Sequence, residues 1–307
     1  MIRYLVNRLA LSVVVVFGVS ILVFLMLHLV PGDPAVVMLS EQANASDVQH
    51  LRHELGLDQP LWAQYALYLE RVVHGDLGRS IRLRLPVSEL IASRLPNTLE
   101  LAAASLSLAT LVGVAVGAVS AVRRGRLADN LAMVGALIGV SLPGFWLGLM
   151  LILLFGLRLG ALPIAGNQDG LASLVLPALT LATVPMATIA RLTRSGLLDV
   201  LGEDYVRTAR AKGLTEFAVI VSHALRNSII PVITVVGVQF GVLLGGAIIV
   251  ETVFAWPGLG RLLIDAVSAR DFPLVQGIML FISVSFVLVN LCADLVYGYV
   301  DPRIRYG

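Results

Sequence analysis

Few residues in this chain have the type and spacing for chemistry. Lys212 is its lone lysine; Gly213 follows it in place of Ser or Thr, and the upstream glycines of a phosphate-cradling G-x-x-x-x-G-K-[ST] loop are missing, so ATP is not bound in that way. Neither H-E-x-x-H nor G-x-S-x-G occurs. His50 and His53, three apart at helical spacing, make half of a metal site. No cysteine or nearby third ligand completes it, and a solvated helix face is the reading, with no metal and no cofactor. His223 reads as a surface or packing residue, and Cys292, the single cysteine, excludes a disulfide framework. A proton or ion relay needs ionisable groups inside the apolar runs. None stands near the middle of one: Arg191 and Asp294 lie toward run ends, where snorkelling or pairing accounts for them, and Asp33, Glu251, Asp265 and Asp271 gather at ends or in loops. The chain is not expected to be an enzyme.

Between two apolar runs stands a polar, basic insert, Glu203 to Pro231. Asp204, Arg207, Thr208 and Ala211 share helical spacing. Gly213 then stops the helix, because glycine tolerates the positive φ of a helix end. Thr215 is placed to cap a second helix running through His223 and Arg226 until Pro231 opens the next run. A bilayer has no use for such a hairpin, whereas a soluble partner would find in it a docking surface. The plain alternative is an ordinary surface helix.

The elements that carry this hairpin are membrane helices. Hydrophobic residues make up 58% of the 307 and charged ones only 14%; mean hydropathy is +0.89. A net charge of +2, with arginines in patches beside apolar runs, does not indicate nucleic acid. Six runs approach the roughly 20 residues that cross about 30 Å of hydrocarbon: Leu9–Val30, Leu99–Val122, Leu131–Leu157, Leu174–Leu192, Ile229–Val250 and Leu274–Tyr297. The fold class is therefore an all-α polytopic membrane protein with six transmembrane helices in a lipid bilayer. The first run follows Arg3 and Arg8 like a signal peptide, but it is too long for one and lacks a small-residue cleavage site, so a retained anchor is preferred to a cleaved signal. Ser141-Leu142-Pro143-Gly144 should kink or split the third run. Gly113 with Gly117, and Gly241 with Gly245, suggest close helix packing.

Arginine placement sets orientation. Arg3, Arg8, Arg123, Arg124, Arg126, Arg191, Arg194, Arg207, Arg210, Lys212, Arg226, Arg303 and Arg305 fall on one side if the six spans alternate. Both termini and the hairpin are then cytoplasmic. The division expected is 1–30 (start and first span), 31–97 (outer loop) and 98–307 (core), with the hairpin loop at 191–228 and an outer loop at 251–273. In the first loop, Ser46 to Leu55 looks like a capped amphipathic helix, and Leu61, Trp62, Tyr65, Leu69 and Val72 repeat at helical spacing up to Gly75; Trp62, Tyr65 and Tyr68 suit the headgroup belt. Uncharged polar residues dot the spans. Ser141, Gln239 and Ser283 are the pore-lining candidates, beside the commoner use of such groups in interhelical hydrogen bonds.

The chain resembles ABC importer permeases of the dipeptide/oligopeptide branch. The hairpin is similar to their EAA loop, with Arg207-Thr208-Ala209 in place of strict EAA. Further segments of the branch are Leu29-Val30-Pro31-Gly32-Asp33-Pro34, Leu55-Gly56-Leu57-Asp58-Gln59-Pro60-Leu61, Gly75-Asp76-Leu77-Gly78-Arg79-Ser80, Arg94-Leu95-Pro96-Asn97-Thr98-Leu99-Glu100-Leu101 and Glu251-Thr252-Val253-Phe254-Ala255-Trp256-Pro257-Gly258-Leu259-Gly260-Arg261. The likeness is to the first of two permeases of dipeptide, glutathione and nickel importers. The Gln239–Gly246 run and Ile304-Arg305-Tyr306 lean toward the glutathione type. The resemblance implies the type I importer fold in a bacterial cytoplasmic (inner) membrane. It implies as partners a second homologous permease, two cytoplasmic P-loop ATPase subunits and an extracytoplasmic substrate-binding protein. Glu203, Asp204, Arg207, Thr208, Ala211, Lys212 and Gly213 would form the ATPase-coupling surface. Asp33, Trp256, Arg261, Asp265 and Arg270 would meet the binding protein or the pore mouth, against the alternative that Trp256–Arg270 merely plugs helix ends. A stand-alone carrier or channel is the rival reading.

Overall fold

The computed structural model describes residues 2–29 and 58–300, with positions 46, 49, 52 and 53 between them. Asp33, His50, most of the helix expected over 46–55 and the C-terminal Arg303 and Arg305 lie outside the described residues. The fold is all-α. Helix α1 (Ile2–Leu29) is followed by the short α2 (Leu61–Val73), then α3 (Val87–Val122), α4 (Leu127–Ser141) and α5 (Gly144–Leu151), which widens into π-helical turns at Ile152–Arg158. Next come α6 (Leu171–Leu201), α7 (Asp204–Ala211) and α8 (Glu216–Ser228), the last π-helical over Val219–Leu225. Helices α9 (Ile230–Val253), α10 (Leu259–Ser268) and α11 (Phe272–Val300) complete the order.

Among the described residues four helices are long and apolar enough to cross a membrane unbroken: α1 over Arg8–Met26, α3, α6, and α11 over Phe272–Ala293. Two bent pairs, α4–α5 at 105° and α8–α9 at 58°, raise the number to six if each pair is one span. The larger bend falls where Pro143 forbids its predecessor the helical region, and Leu142 is extended (ψ 129°). Two spans outrun their apolar stretches. α3 begins at Val87, not near Leu99, and carries Pro96 inside; its 36 residues extend about 54 Å at 1.5 Å each, well beyond a hydrocarbon core of about 30 Å. α6 passes through Pro177 and Pro185 and ends at Gly202 instead of near Leu192.

The centre of the molecule is α3 laid against α6, with α9 packed on both and α11 joining α9 to α1. Glycines permit the approach. A Cβ on Gly113 would stand 2.8 Å from the Met186 carbonyl oxygen, and one on Gly117 would overlap the Ala190 carbonyl. Of the second glycine pair only Gly241 touches a neighbour helix, at Phe286 and Val289; Gly245 faces open space. Ala121, Leu197, Val206, Ala209, Val219 and Ala224 cluster at one end. Leu101, Leu174, Val250, Phe254 and Trp256 cluster at the other, with Val87, Leu259 and Leu274 nearby. Helices α3, α6 and α11 therefore run one way and α9 runs the other. Large apolar side chains such as Leu22, Leu111, Leu131 and Leu137 point outward, the arrangement suited to lipid rather than water.

Helix α2 lies against α1. The Tyr65 hydroxyl shares a 2.7 Å hydrogen bond with Ser20, and the rings of Tyr65 and Tyr68 pack on Phe24. These two tyrosines thus hold the helix down, while Trp62 alone of the expected belt is largely exposed. Burial pushes the Tyr68 phenol up to about 12, with Tyr65 adding to the shift.

Packing of α3 on α6 gives a direct prediction. Gly117→Ala should destabilise the protein by roughly 1–3 kcal/mol through overpacking, whereas Gly245→Ala should be neutral or slightly stabilising. Thermal unfolding of the two variants in mild detergent checks this; equal midpoints would contradict the packing.

Candidate functional site

The hairpin is built on α6. That helix runs unbroken to Leu201; Gly202 stops it, and the chain folds back into α7. Val206 and Ala209, three apart, are the two α7 residues that are buried, and they sit on Ala121 of α3, Leu197 of α6, and Val219 and Ala224 of α8. All seven residues expected at the docking surface, Glu203, Asp204, Arg207, Thr208, Ala211, Lys212 and Gly213, lie on the remaining exposed face. Gly213 adopts φ +80°, and its N–H bonds the Arg210 carbonyl at 2.9 Å. Thr215 caps α8 by accepting the Ala218 N–H at 3.4 Å. Asp204 and Arg207 pair at 3.6 Å, but at 97% and 72% side-chain exposure the pair adds little stability.

Two braces escaped the sequence reading. Across the Gly213 turn, Arg210 forks onto Glu216, Nε to Oε1 at 2.8 Å and Nη2 to Oε2 at 3.3 Å. Asn227 donates to the Tyr205 hydroxyl at 2.9 Å, tying the end of α8 to the start of α7. Opposite charges flanking a helix-stopping glycine were the available signal for the first. Beside the turn, Leu214 and Phe217 are exposed, Phe217 to 76%, giving the charged surface an apolar tip.

A buried ion pair stands directly behind the hairpin. Asp129, in the first turn of α4, receives Arg194 Nε at 2.7 Å and Nη2 at 2.8 Å, the Gly125 N–H at 2.9 Å and the Ser120 hydroxyl. This joins the α3–α4 turn to α6 seven residues before its end. Asp129 was not singled out from the sequence, and Arg194 was counted only as an orientation charge.

At the opposite end a second buried carboxylate organises α3, α9 and α10. Glu251 is 0% exposed; it accepts the Thr98 hydroxyl at 2.7 Å and the Arg261 N–H at 3.1 Å, and Thr98 accepts the Leu259 N–H at 2.8 Å. Trp256, expected on a docking rim, is instead 1% exposed, with its indole N–H donating to the Asn97 carbonyl at 2.9 Å. Its large apolar surface is worth more inside than at a wet rim. Arg261 is half-buried and reaches the Ala255 carbonyl at 2.5 Å. Arg261 and Asp265 line one cleft with Arg94, Pro257, Gly258 and Leu262. Arg270, exposed and at φ +54°, is outside that lining. Asp271, buried, receives Ser80 Oγ and the Ile81 and Arg82 N–H groups, which pins the Gly75–Ser80 segment to the start of α11.

Polar groups along the spans mostly bond their own helices. Ser105, Ser141, Thr180 and Thr183 each donate to the carbonyl four residues back, in place of the interhelical bonds expected. Ser141 is exposed on α4, and Gln239 and Ser283 are half-buried on α9 and α11. No cluster of three potential metal ligands exists among the described residues. His53 is exposed, 3.9 Å from Asp58.

Helices of membrane-crossing length, packed around a glycine seam and bearing a braced polar hairpin at one end, define a membrane transport subunit. Residues 113–306 match the family described as "Binding-protein-dependent transport system inner membrane component", and residues 1–102 match its N-terminal family. The chain belongs to this family of ABC importer permeases, a multi-pass inner-membrane subunit that couples to ATPase subunits and is not itself the catalyst. Membership sets aside the stand-alone carrier. The chain is 47% identical to "Glutathione transport system permease protein GsiC" of Escherichia coli (strain K12), over all of both chains. It is 45% identical to "Dipeptide transport system permease protein DppB" of the same strain, over 100% of this chain and 99% of that one. Its fold is similar to a chain of the inward-facing MetNI methionine ABC transporter (TM-score 0.58, 18% identity, 69% of this chain and 96% of that one). It is likewise similar to a chain of an amino acid ABC transporter crystallised with histidines (TM-score 0.51, 19% identity, 70% and 94%).

Thr98→Val removes the donor to Glu251 and the acceptor for Leu259 at unchanged shape. A loss of roughly 1–3 kcal/mol in unfolding free energy is expected from the buried groups left unpaired. A melting curve identical to wild type would show that the clasp does not hold α3 to α9 and α10.

Proposed function

We propose that this chain is one of two homologous permeases that together import dipeptides, glutathione or similar small peptides across a bacterial inner membrane. Six spans in the type I importer arrangement, with both termini and the hairpin cytoplasmic, are the topology of this reading. The arginines of the α3–α4 turn and of the α6–α8 region support it by standing at one end of the bundle. Full-length similarity to a dipeptide and to a glutathione permease supports the substrate class. Each permease seats its hairpin in a groove of its own P-loop ATPase, and an extracytoplasmic binding protein delivers substrate at the other end, near Arg261, Asp265 and Arg270.

The observation that carries this reading is the seating of α7. Val206 and Ala209 fix it to the ends of α3 and α6, so its exposed face, from Glu203 through Gly213, is held rigidly outward. Closure of the ATPases on ATP draws two such faces together. Because α6 continues without a break from hairpin to bundle, the displacement reaches the spans as a rigid-body rotation. Ser141, Gln239 and Ser283 stay the candidates for groups along the path that this rotation opens.

Gly213→Pro tests the coupling. Proline holds φ near −65° and lacks the N–H that bonds Arg210, so the turn at φ +80° is lost. In the reconstituted complex, ATP hydrolysis stimulated by substrate and binding protein should be abolished while the chain remains inserted. Normal stimulation in the variant would end the assignment of this hairpin as the coupling element.

A further inference from the structure

The turn from α3 to α4, Arg123-Arg124-Gly125-Arg126, has a built backbone. The N–H groups of Arg123, Arg124 and Arg126 bond the carbonyls of Val119, Ala121 and Arg123 at 3.0, 3.3 and 3.0 Å. Gly125 takes φ +73° and gives its N–H to Asp129. That carboxylate is the acid nearest in sequence to the turn, and the Arg194 fork already neutralises it. Arg123, Arg124 and Arg126 are all exposed, and among the described residues none of them has a carboxylate within 4.0 Å. Three guanidinium groups thus stand within four residues, on a hydrogen-bonded support and with no paired carboxylate among the described residues.

What flanks them is apolar. Val119 and Val122 at the end of α3 and Leu127 and Leu131 at the start of α4 all face outward, Leu127 to 73%. Both helices are apolar away from the turn, so charge sits in a narrow band with exposed aliphatic side chains directly beyond it. An amphiphile with an anionic head and acyl tails matches that sequence of surfaces; a soluble acidic protein matches the band alone.

We propose that this turn binds the headgroup of an anionic membrane phospholipid. The guanidinium forks of Arg123, Arg124 and Arg126 engage the phosphate, and the acyl chains lie along Val119, Val122, Leu127 and Leu131. The Asp129–Arg194 pair serves the site by neutralising the carboxylate nearest the turn in sequence and by fixing Gly125 in place. The site rests on membership of an inner-membrane family and is independent of the coupling role of the hairpin.

The test uses the complete importer complex in phosphatidylcholine nanodiscs containing graded phosphatidylglycerol, with bound lipid counted by native mass spectrometry. Wild type should retain phosphatidylglycerol. The combined Arg123→Gln, Arg124→Gln, Arg126→Gln variant should bind it roughly 10–100-fold more weakly, and the corresponding triple Lys variant should keep most of the binding. Millimolar inorganic phosphate should not displace the lipid. If the triple Gln variant fails to assemble, Arg124→Gln alone is measured, with a loss of about fivefold expected. Equal retention by wild type and Gln variants would overturn the proposal. So would displacement by inorganic phosphate, which marks a free-anion site, or loss of ATPase subunits with lipid retention unchanged, which marks a protein contact.

Discussion

The structure depends most on a carboxylate that has no access to solvent. Glu251 ends α9 inside the protein, where an unpaired charge or acid would be costly, and it is retained because Thr98 and the start of α10 supply its hydrogen bonds. Satisfying it imposes the sequence around it. A Cβ on Gly258 would overlap the carboxylate itself, and one on Gly260 would stand 2.5 Å from the Ile248 backbone. The turn before α10 is then tight enough for Trp256 to drop into the core and for Asn97 to bond both its indole and the Pro257 carbonyl. From this clasp the α3 start, the α9 end and α10 become one body, and the cleft holding Arg94, Arg261 and Asp265 is a surface of that body rather than of a free loop.

The segments that carried the family resemblance acquire physical reasons here. Thr98 and Asn97 of one segment bond Glu251, Leu259 and Pro257 of another, more than 150 residues away. In the Gly75–Ser80 segment, Gly75 and Gly78 take positive φ, Asp76 accepts the Gly78 N–H, and buried Ser80 is delivered to Asp271. These motifs are two halves of hydrogen-bonded clasps. Neither half reveals its partner when read alone.

That explains what was legible in the residues and what was not. The spans were readable because an apolar run in lipid needs nothing beyond its length, and the hairpin because Gly213 marks its turn. Helix ends were not. Helix α3 carries Pro96 inside it and α6 carries Pro177 and Pro185, because tertiary packing overrides a single lost bond in a long helix. Trp256 next to Pro257 and Gly258 resembled an exposed rim because its partner, Asn97, is distant in sequence. Asp129 was invisible for the same reason, since the arginine that makes its burial tolerable lies 65 positions on. Ser105, Ser141, Thr180 and Thr183 bond their own helices, so their polarity held no information about neighbours.

Two of the buried carboxylates, Glu251 and Asp129, sit at opposite ends of α3, and their positions divide the protein mechanically. Glu251 fixes α3 to α9 and α10 at one end, while Asp129 fixes the α3–α4 turn to α6 at the other. Between them Gly113 and Gly117 bring α3 and α6 close enough that neither can slide without overlapping the other's backbone. Bending is thereby confined to places where the ladder is already broken: the 105° break at Pro143 and the 58° break between α8 and α9. A force applied at α7 meets the Val206 and Ala209 seat first, and behind it the Arg194 fork. The stiffest route through the chain therefore leads from the hairpin to α3 and α6 as a unit, and bending is left to the breaks between α4 and α5 and between α8 and α9.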